Sequence, residues 1–353
     1  MQKRFTRMYS NNKHVVAYMV TVCFLVFSIF LGVSIGTFPI SFFDILQMIG
    51  DSLFHMGGNG SVDENTQNIV MSIRLPRVIL AGLVGASLAL AGASFQGLLQ
   101  NPLADPYTLG VSSGASLGAV FVLFFGIHIP FFGFFTLPVA SILTGFMTII
   151  FVIFFAGMID KAMRIETIVL TGIIMSSFLG ALISFMIAMS GEELRQIVNW
   201  LLGSVSMRGW VYVMMLLPFF VVGSLLILAN GTELNALAFG EEKAHQLGVN
   251  VKKRKLLILT SASILAGAAV AISGTIGFVG LVVPHLNRLL WGNDYRHLLP
   301  LSALFGAGFL ILADLVSRTI MSPTELPIGV ITALIGAPSF AFILVKQRME
   351  RRG

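Results

Sequence analysis

The chain has 353 residues, 56% of them hydrophobic and only 11% charged, with a net charge of +6. An ordinary soluble domain carries about 25% charged residues, so the composition excludes a soluble enzyme and makes lipid the solvent for much of the surface. The single cysteine, Cys23, excludes an intrachain disulfide and a cysteine metal cluster, and basic residues grouped beside apolar runs suit an anionic membrane surface rather than nucleic acid.

Lys3, Arg4, Arg7 and Lys13 precede an uncharged run from Val15 to Val33. A signal peptide has a shorter apolar core and a small-residue cleavage site, so the run reads as a retained first span. A crossing needs about 20 apolar residues. Further spans are expected over 78–99, 108–127, 137–159, 168–190, 210–229, 298–316 and 328–345. The outer loop of about 35–70 has a mixed front half, Phe38 to Met56, read as interfacial. Its back half, Gly57 to Gln67, reads as a polar, flexible turn region.

The stretch 256–292 is too long for one helix and is interrupted by Gly274, Gly277, Gly280 and Pro284. Hydropathy allows one span or two. Charge decides between them. Basic residues crowd the N-terminal segment, and Lys346, Arg348, Arg351 and Arg352 crowd the C-terminal one. The positive-inside rule then places both termini in the cytoplasm and requires an even number of crossings. The sequence predicts an all-α, polytopic membrane bundle of ten spans with a turn near Gly274–Gly277. Seventeen of the 22 Lys and Arg residues fall on the inner side; only Arg74, Arg77, Arg195, Arg208 and Arg318 fall outside.

Two segments echo one another: the one from Ala91 through Gly97-Leu to Pro102, and the one from Ser273 through Gly280-Leu to Pro284. Their offset of five spans reverses the direction of travel, which is an inverted internal repeat of the kind transporters use. Shared Gly/Ala composition is the other explanation. Gly82, Gly85, Gly92, Gly97, Gly110, Gly114 and Gly118 lie within or beside spans, where small residues let helix backbones approach.

Catalytic motifs are absent. There is no P-loop, no H-E-x-x-H pairing among the six histidines and no nucleophile elbow. No cofactor and no metal site are expected. Asp314 is the main carboxylate inside a span, and its spacing from Arg318 reads as an i,i+4 pair rather than a proton relay.

The longest inner loop carries its own punctuation. Gly240 separates two short helical stretches, Glu241 and Glu242 would open the second where anions suit the dipole, and Gly248 would close it. Lys252, Lys253, Arg254 and Lys255 follow at the membrane surface. Connections between helices usually run 2–8 residues, so this segment reads either as a partner-docking element or as an interfacial helix without a partner.

These residues also carry a family resemblance. Arg74-Leu-Pro-Arg77, the stretch from Gly97 to Pro106, and Leu109-Gly-Val-Ser-Ser-Gly-Ala115 resemble permease subunits of the ABC importers for ferric siderophores, haem and vitamin B12. So do Ala238-Phe-Gly-Glu241 with Gln246-Leu-Gly248, the run from Gly277 to His285, and Glu325-Leu-Pro-Ile-Gly-Val330 with Gly336-Ala-Pro338. The resemblance covers about residues 40–345. It implies one transmembrane permease domain over 1–353, in the cell membrane, with ten spans. It also implies a pathway shared with a second copy or a sister permease, separate ATPase subunits inside, and a substrate-binding protein outside. The segment 231–250 resembles the coupling helices that seat in the ATPase, with Ala238, Phe239, Gly240, Glu241, Ala244, Leu247 and Gly248 as its contact residues. Arg74, Arg77 and Arg318 resemble outer-rim positions that meet acidic residues of the binding protein; lipid anchoring or internal pairing is the alternative. The loop 160–167 resembles the inner gate region, with Arg164 and Glu166 departing from the family pattern. Ferric siderophore is the expected cargo, with haem or vitamin B12 as alternatives. An ion-coupled carrier working alone is the competing class, told apart by its energy source.

Overall fold

The computed structural model describes residues 2–36, 40–41, 43, 50, 63–130 and 133–350. The interfacial reading of Phe38–Met56 falls almost wholly outside them. The terminal basic side chains that weighted the topology argument, other than Lys13, are also outside the described set.

Among the described residues there are helices and turns and no strands. Lipid leaves no water for a bare amide, so helices that satisfy their own backbone are what a spanning chain can form. Ten helices of the described residues have 13 or more residues, and they fall on the ten expected spans: α1 Gln2–Ser34, α2 Glu64–Leu98, α3 Val111–Phe124, α4 Thr136–Ile159 and α5 Ile165–Met189 come first. After the short α6 Leu194–Leu201 come α7 Trp210–Leu228, the two short helices α8 Gly231–Leu237 and α9 Glu241–Gln246, then α10 Val251–Ser273, α11 Val279–Trp291, α12 Tyr295–Thr319 and α13 Ile328–Glu350. Seven are long and apolar enough to cross a membrane unaided.

One expectation needs correcting. The back half of the 35–70 loop is not turn throughout: Glu64 already opens α2, where a carboxylate suits the helix dipole, and a π-helical turn over Ile69–Arg74 joins it to the buried part.

Helix α2 is the centre of the bundle, buried almost continuously from Pro76 to Leu98. Its small residues permit this. A Cβ on Gly85 would fall on the Gly306 carbonyl of α12, and one on Gly92 would fall on the Gly280 carbonyl of α11. The two echo segments therefore cross at a glycine-to-glycine contact, and Gln96 donates to the carbonyls of Gly280 and Leu281 at 3.3 and 3.2 Å. Gly114 and Gly118 of α3 meet Thr148 and Thr144 of α4 in the same way. At the periphery, Met147, Ile150 and Phe154 of α4 and Phe178 and Phe185 of α5 are at least 60% exposed, the surface a lipid-facing helix presents.

The split of 256–292 is as expected. Helix α10 ends at Ser273, Gly274 and Phe278 adopt left-handed φ values of 72° and 69°, and α11 begins at Val279. Irregular backbone at this depth must find partners in protein. The Tyr107 hydroxyl provides them, donating to the Ile276 carbonyl at 2.7 Å and accepting from its amide at 3.0 Å.

Candidate functional sites at the two ends of the bundle

At one end, the chain leaves α7 and forms α8 and α9. Gly240 joins them at φ 104°, and Gly248 ends the segment at φ 84°. Only glycine takes such angles without strain, so both punctuation marks seen in the sequence are backbone requirements. Leu234, Leu237 and Ala244 are buried beneath the segment, whereas Phe239 is 69% and Leu247 70% exposed. Ala238 and Gly240 lie between the helices, and Glu241 turns back to Lys255 at 2.7 Å. Gln100 donates to the Leu237 carbonyl at 3.0 Å, and Asn235 donates to Asp294, the N-cap of α12, at 2.7 Å. Hydrogen bonds from Arg296 hold the Asp294 carboxyl far below the usual range. In the neighbouring 160–164 turn, Arg164 donates to Asp160 at 2.9 Å and brings that carboxyl down to about 2.

At the opposite end lie the three arginines, and none is an exposed rim residue. Arg77 is 8% and Arg74 5% exposed. Arg77 is gripped by two carboxylates: its Nη2 is 2.8 Å from Asp314 and its Nη1 2.8 Å from Glu325. Arg74 donates to the carbonyls of Val33 and Ser34 at 2.9 and 3.2 Å, and Arg318 donates to the carbonyl of Gly32. The last carbonyls of a helix lack intrahelical partners and carry its negative dipole end. Arg74 and Arg318 thus cap the C-terminus of α1. Asp314 does sit near Arg318, at 3.9 Å, but Arg77 is its closer partner. An i,i+4 pair is visible in sequence; a partner 237 residues away is not. The three arginines and Glu325 line a cavity of about 350 Å³. With Asp314 just behind it, the cluster has three guanidinium groups against two carboxylates. Glu325 lies in the loop after α12. Burial raises its carboxyl, but hydrogen bonds from Arg77 and Ser206 more than offset that, and its pKa is lowered.

Both the order of the motifs and this architecture agree with known proteins. Residues 24–346 match the model of the FecCD transport family. The chain is a member of the FecCD transport family. It is 57% identical to the uncharacterized ABC transporter permease protein YvrB of Bacillus subtilis, over 100% of this chain and 99% of that one. The cobalamin import system permease BtuC of Halobacterium salinarum is 45% identical over 80% of this chain and 75% of its own. A solved structure assigned to a metal-chelate type ABC transporter, in an inward-facing conformation, has a TM-score of 0.80 at 34% identity and covers 93% of this chain and 98% of its own.

As a FecCD member the chain is an ABC importer permease, an integral membrane transport subunit and not itself an enzyme. The ion-coupled carrier, the other class left open by the sequence, is set aside. What sequence reasoning missed in this FecCD permease are the pairs that close only in three dimensions: Arg77 with Asp314 and Glu325, Arg254 with Glu233, and Lys255 with Glu241.

Proposed function

We propose that this permease forms the pathway of an ATP-driven importer for a metal–chelate complex, with a ferric siderophore as the leading cargo. Two copies, or this chain and a sister permease, would enclose the pathway, each a single transmembrane domain over 1–353. Both termini and the segment 231–250 would face the cytoplasm, as the inward bias of basic residues supports. ATPase subunits would bind that segment through Ala238, Phe239, Gly240, Glu241, Ala244, Leu247 and Gly248. The observation that carries this reading is the pair of exposed apolar side chains, Phe239 and Leu247, on a glycine-jointed segment whose remaining contacts hold it to the bundle. Exposed apolar groups on a polar face mark an interaction site.

At the other end a substrate-binding protein would dock with acidic side chains directed at Arg74, Arg77 and Arg318. Their burial changes the form of that contact. The partner's carboxylate must enter the 350 Å³ cavity, and it meets a net positive cluster already part-neutralised by Asp314 and Glu325. The metal-chelate assignment of the solved neighbour supports the cargo class. A second reading, cobalamin, is favoured by the relative at 45% identity; it too is a chelated metal.

Uptake of ⁵⁵Fe-labelled ferric siderophore and of ⁵⁷Co-labelled cobalamin, measured in cells with and without this chain, separates the two cargos. Uptake should stop with Gly240→Pro while the chain still inserts. Uptake that tracks an ion gradient and ignores ATP would overturn the reading.

A further inference from the structure

The run from Lys252 to Lys255 opens α10. Successive helical residues point about 100° apart, so four basic residues in a row cannot share a membrane-facing side. Arg254 pairs with Glu233 of α8 at 3.3 Å and donates to Asn230 at 2.9 Å. Lys255 is fully buried and donates to Glu241 of α9 at 2.7 Å. Lys252 donates to the Lys161 carbonyl, in the turn between α4 and α5, at 3.2 Å. One turn of α10 therefore grips both coupling helices and the neighbouring inner turn.

The far end of α10 is held as closely. The Ser204 amide donates to the Ser273 carbonyl at 2.7 Å, the Thr275 hydroxyl donates to the Leu201 carbonyl, and the Ile328 amide donates to the Gly203 carbonyl at 3.0 Å. Gly203, Gly274 and Gly329 let three backbones meet here: a Cβ on each would press on a carbonyl of another segment. Two residues beyond Ser204, the Ser206 hydroxyl lies 3.5 Å from Arg77. A buried helix of 23 residues, about 35 Å long at 1.5 Å per residue, thus connects the Gly240 segment to the loop beside the arginine cavity.

We propose that α10 is the connecting rod of the permease, and that Lys255–Glu241 and Arg254–Glu233 are positioning pairs that make the coupling segment move with it. The proposal rests on the ATPase-docking reading and adds the route by which docking is felt at the outer end. Helix α9 has six residues, too few to be stable alone, so its attachment to α10 fixes how it stands. Lys255 is buried while Glu241 is its ion-pair partner, and a buried charge depends on its partner. A push on α9 is then a push on the first turn of α10.

The test uses the permease co-purified with its ATPase in lipid nanodiscs. Cys23→Ser removes the only cysteine, and spin labels go on Met207→Cys in the outer loop and Ile129→Cys in the turn between α3 and α4, both exposed positions. Their separation is measured by pulsed electron paramagnetic resonance with and without MgATP–vanadate. In the parent pair the separation should shift on trapping. With Lys255→Met, or Arg254→Met at the second pair, the ATPase should stay bound while the shifted fraction drops roughly 2- to 30-fold, the range for a contact on a coupling route. Exchanging the charges of the second pair, Arg254→Glu with Glu233→Arg, should restore part of the shift that Arg254→Glu alone loses. Two results overturn the rod: Lys255→Met and Arg254→Met both shifting like the parent, or a parent outer loop that does not move with the ATPase bound and trapped. A lost shift that the charge exchange fails to restore assigns the pairs to local structure only. A parent permease that retains no ATPase removes the docking reading itself.

Discussion

The two ends of the permease handle charge in the same way and surface in opposite ways. At both ends a buried basic side chain closes on carboxylates. Arg77 closes on Asp314 and Glu325, and Lys255 closes on Glu241. What remains outside differs. The Gly240 end leaves two large apolar side chains standing free, Phe239 and Leu247. The Arg77 end leaves a net positive cavity. Apolar anchors buried at a contact supply affinity and slow dissociation, whereas complementary charge mainly speeds and orients association. The contrast fits the two partners proposed above, an ATPase that stays and a binding protein that comes and goes.

The largest expected effect tests whether the Arg77 charges are structural first. Asp314 has a side-chain exposure of 1%. Arg77→Met should therefore destabilise the protein by up to about 3–5 kcal/mol, the cost of a buried charge losing its partner, and by less to the extent that Arg318, 3.9 Å from Asp314, takes its place. Arg77→Met with Asp314→Leu should recover most of it. Thermal unfolding in detergent, followed by size-exclusion fluorescence, reads both. If Arg77→Met is as stable as the parent and only binding-protein association is lost, the two ends do not share an inward-charge logic.

At the Gly240 end the same kind of change should leave stability alone and remove a partner. Phe239→Asp with Leu247→Asp should cost about 2 kcal/mol or more of ATPase affinity, as for a contact hot spot. The isolated permease should stay within about 0.5 kcal/mol of the parent, as for other exposed positions. Co-purification yield and unfolding midpoint are the measurements. Destabilisation without loss of the ATPase would make this segment an interfacial helix, the other reading the sequence allowed.

Legibility follows the same division. The long helices could be read from apolar runs because that signal is local, and the split at Gly274 because the charge at the two chain ends asks for an even number of crossings. Gly240 and Gly248 could be read because a positive φ asks for a residue type in one place. The arginines could be found, and the spacing of Arg318 from Asp314 with them, but the partners of Arg77 could not. Glu325 is 248 residues from Arg77, and nothing in either neighbourhood names the other. The basic run 252–255 looked like a surface cluster because sequence gives its charge and not its direction. Burial of Lys255 depends on where α9 folds back.

A smaller effect sharpens the steering half of the contrast. Glu325 is 37% exposed at the side chain and neutralises part of the Arg77 charge. Glu325→Gln should leave the fold intact and strengthen the attraction for an acidic partner by up to about 1 kcal/mol, the scale of an exposed pair. The gain should appear in the association rate at low salt and shrink as the screening length falls toward about 8 Å. Surface plasmon resonance with the cognate binding protein over a salt series measures it. Slower association, or a gain indifferent to salt, would remove steering as the purpose of the cavity.

The smallest effect is with pH. The Glu325 carboxyl is lowered from its ordinary value, with burial opposing and Arg77 and Ser206 prevailing. For such a group the sign is fixed. Its contribution is fully present above the unfolded pKa, about 4.3 for glutamate, and is lost as pH falls through the lower folded value. Acidifying from pH 7 to pH 5 should therefore leave the cluster charged and association unchanged once binding-protein titration is subtracted. The subtraction comes from repeating the series with Glu325→Gln, which lacks the group. A midpoint above pH 5 present in the parent and absent in Glu325→Gln would mean that Arg77 does not hold Glu325 ionised. The cavity would then become more positive on mild acidification, and docking at that end would respond to pH while docking at the apolar Phe239 and Leu247 surface would not.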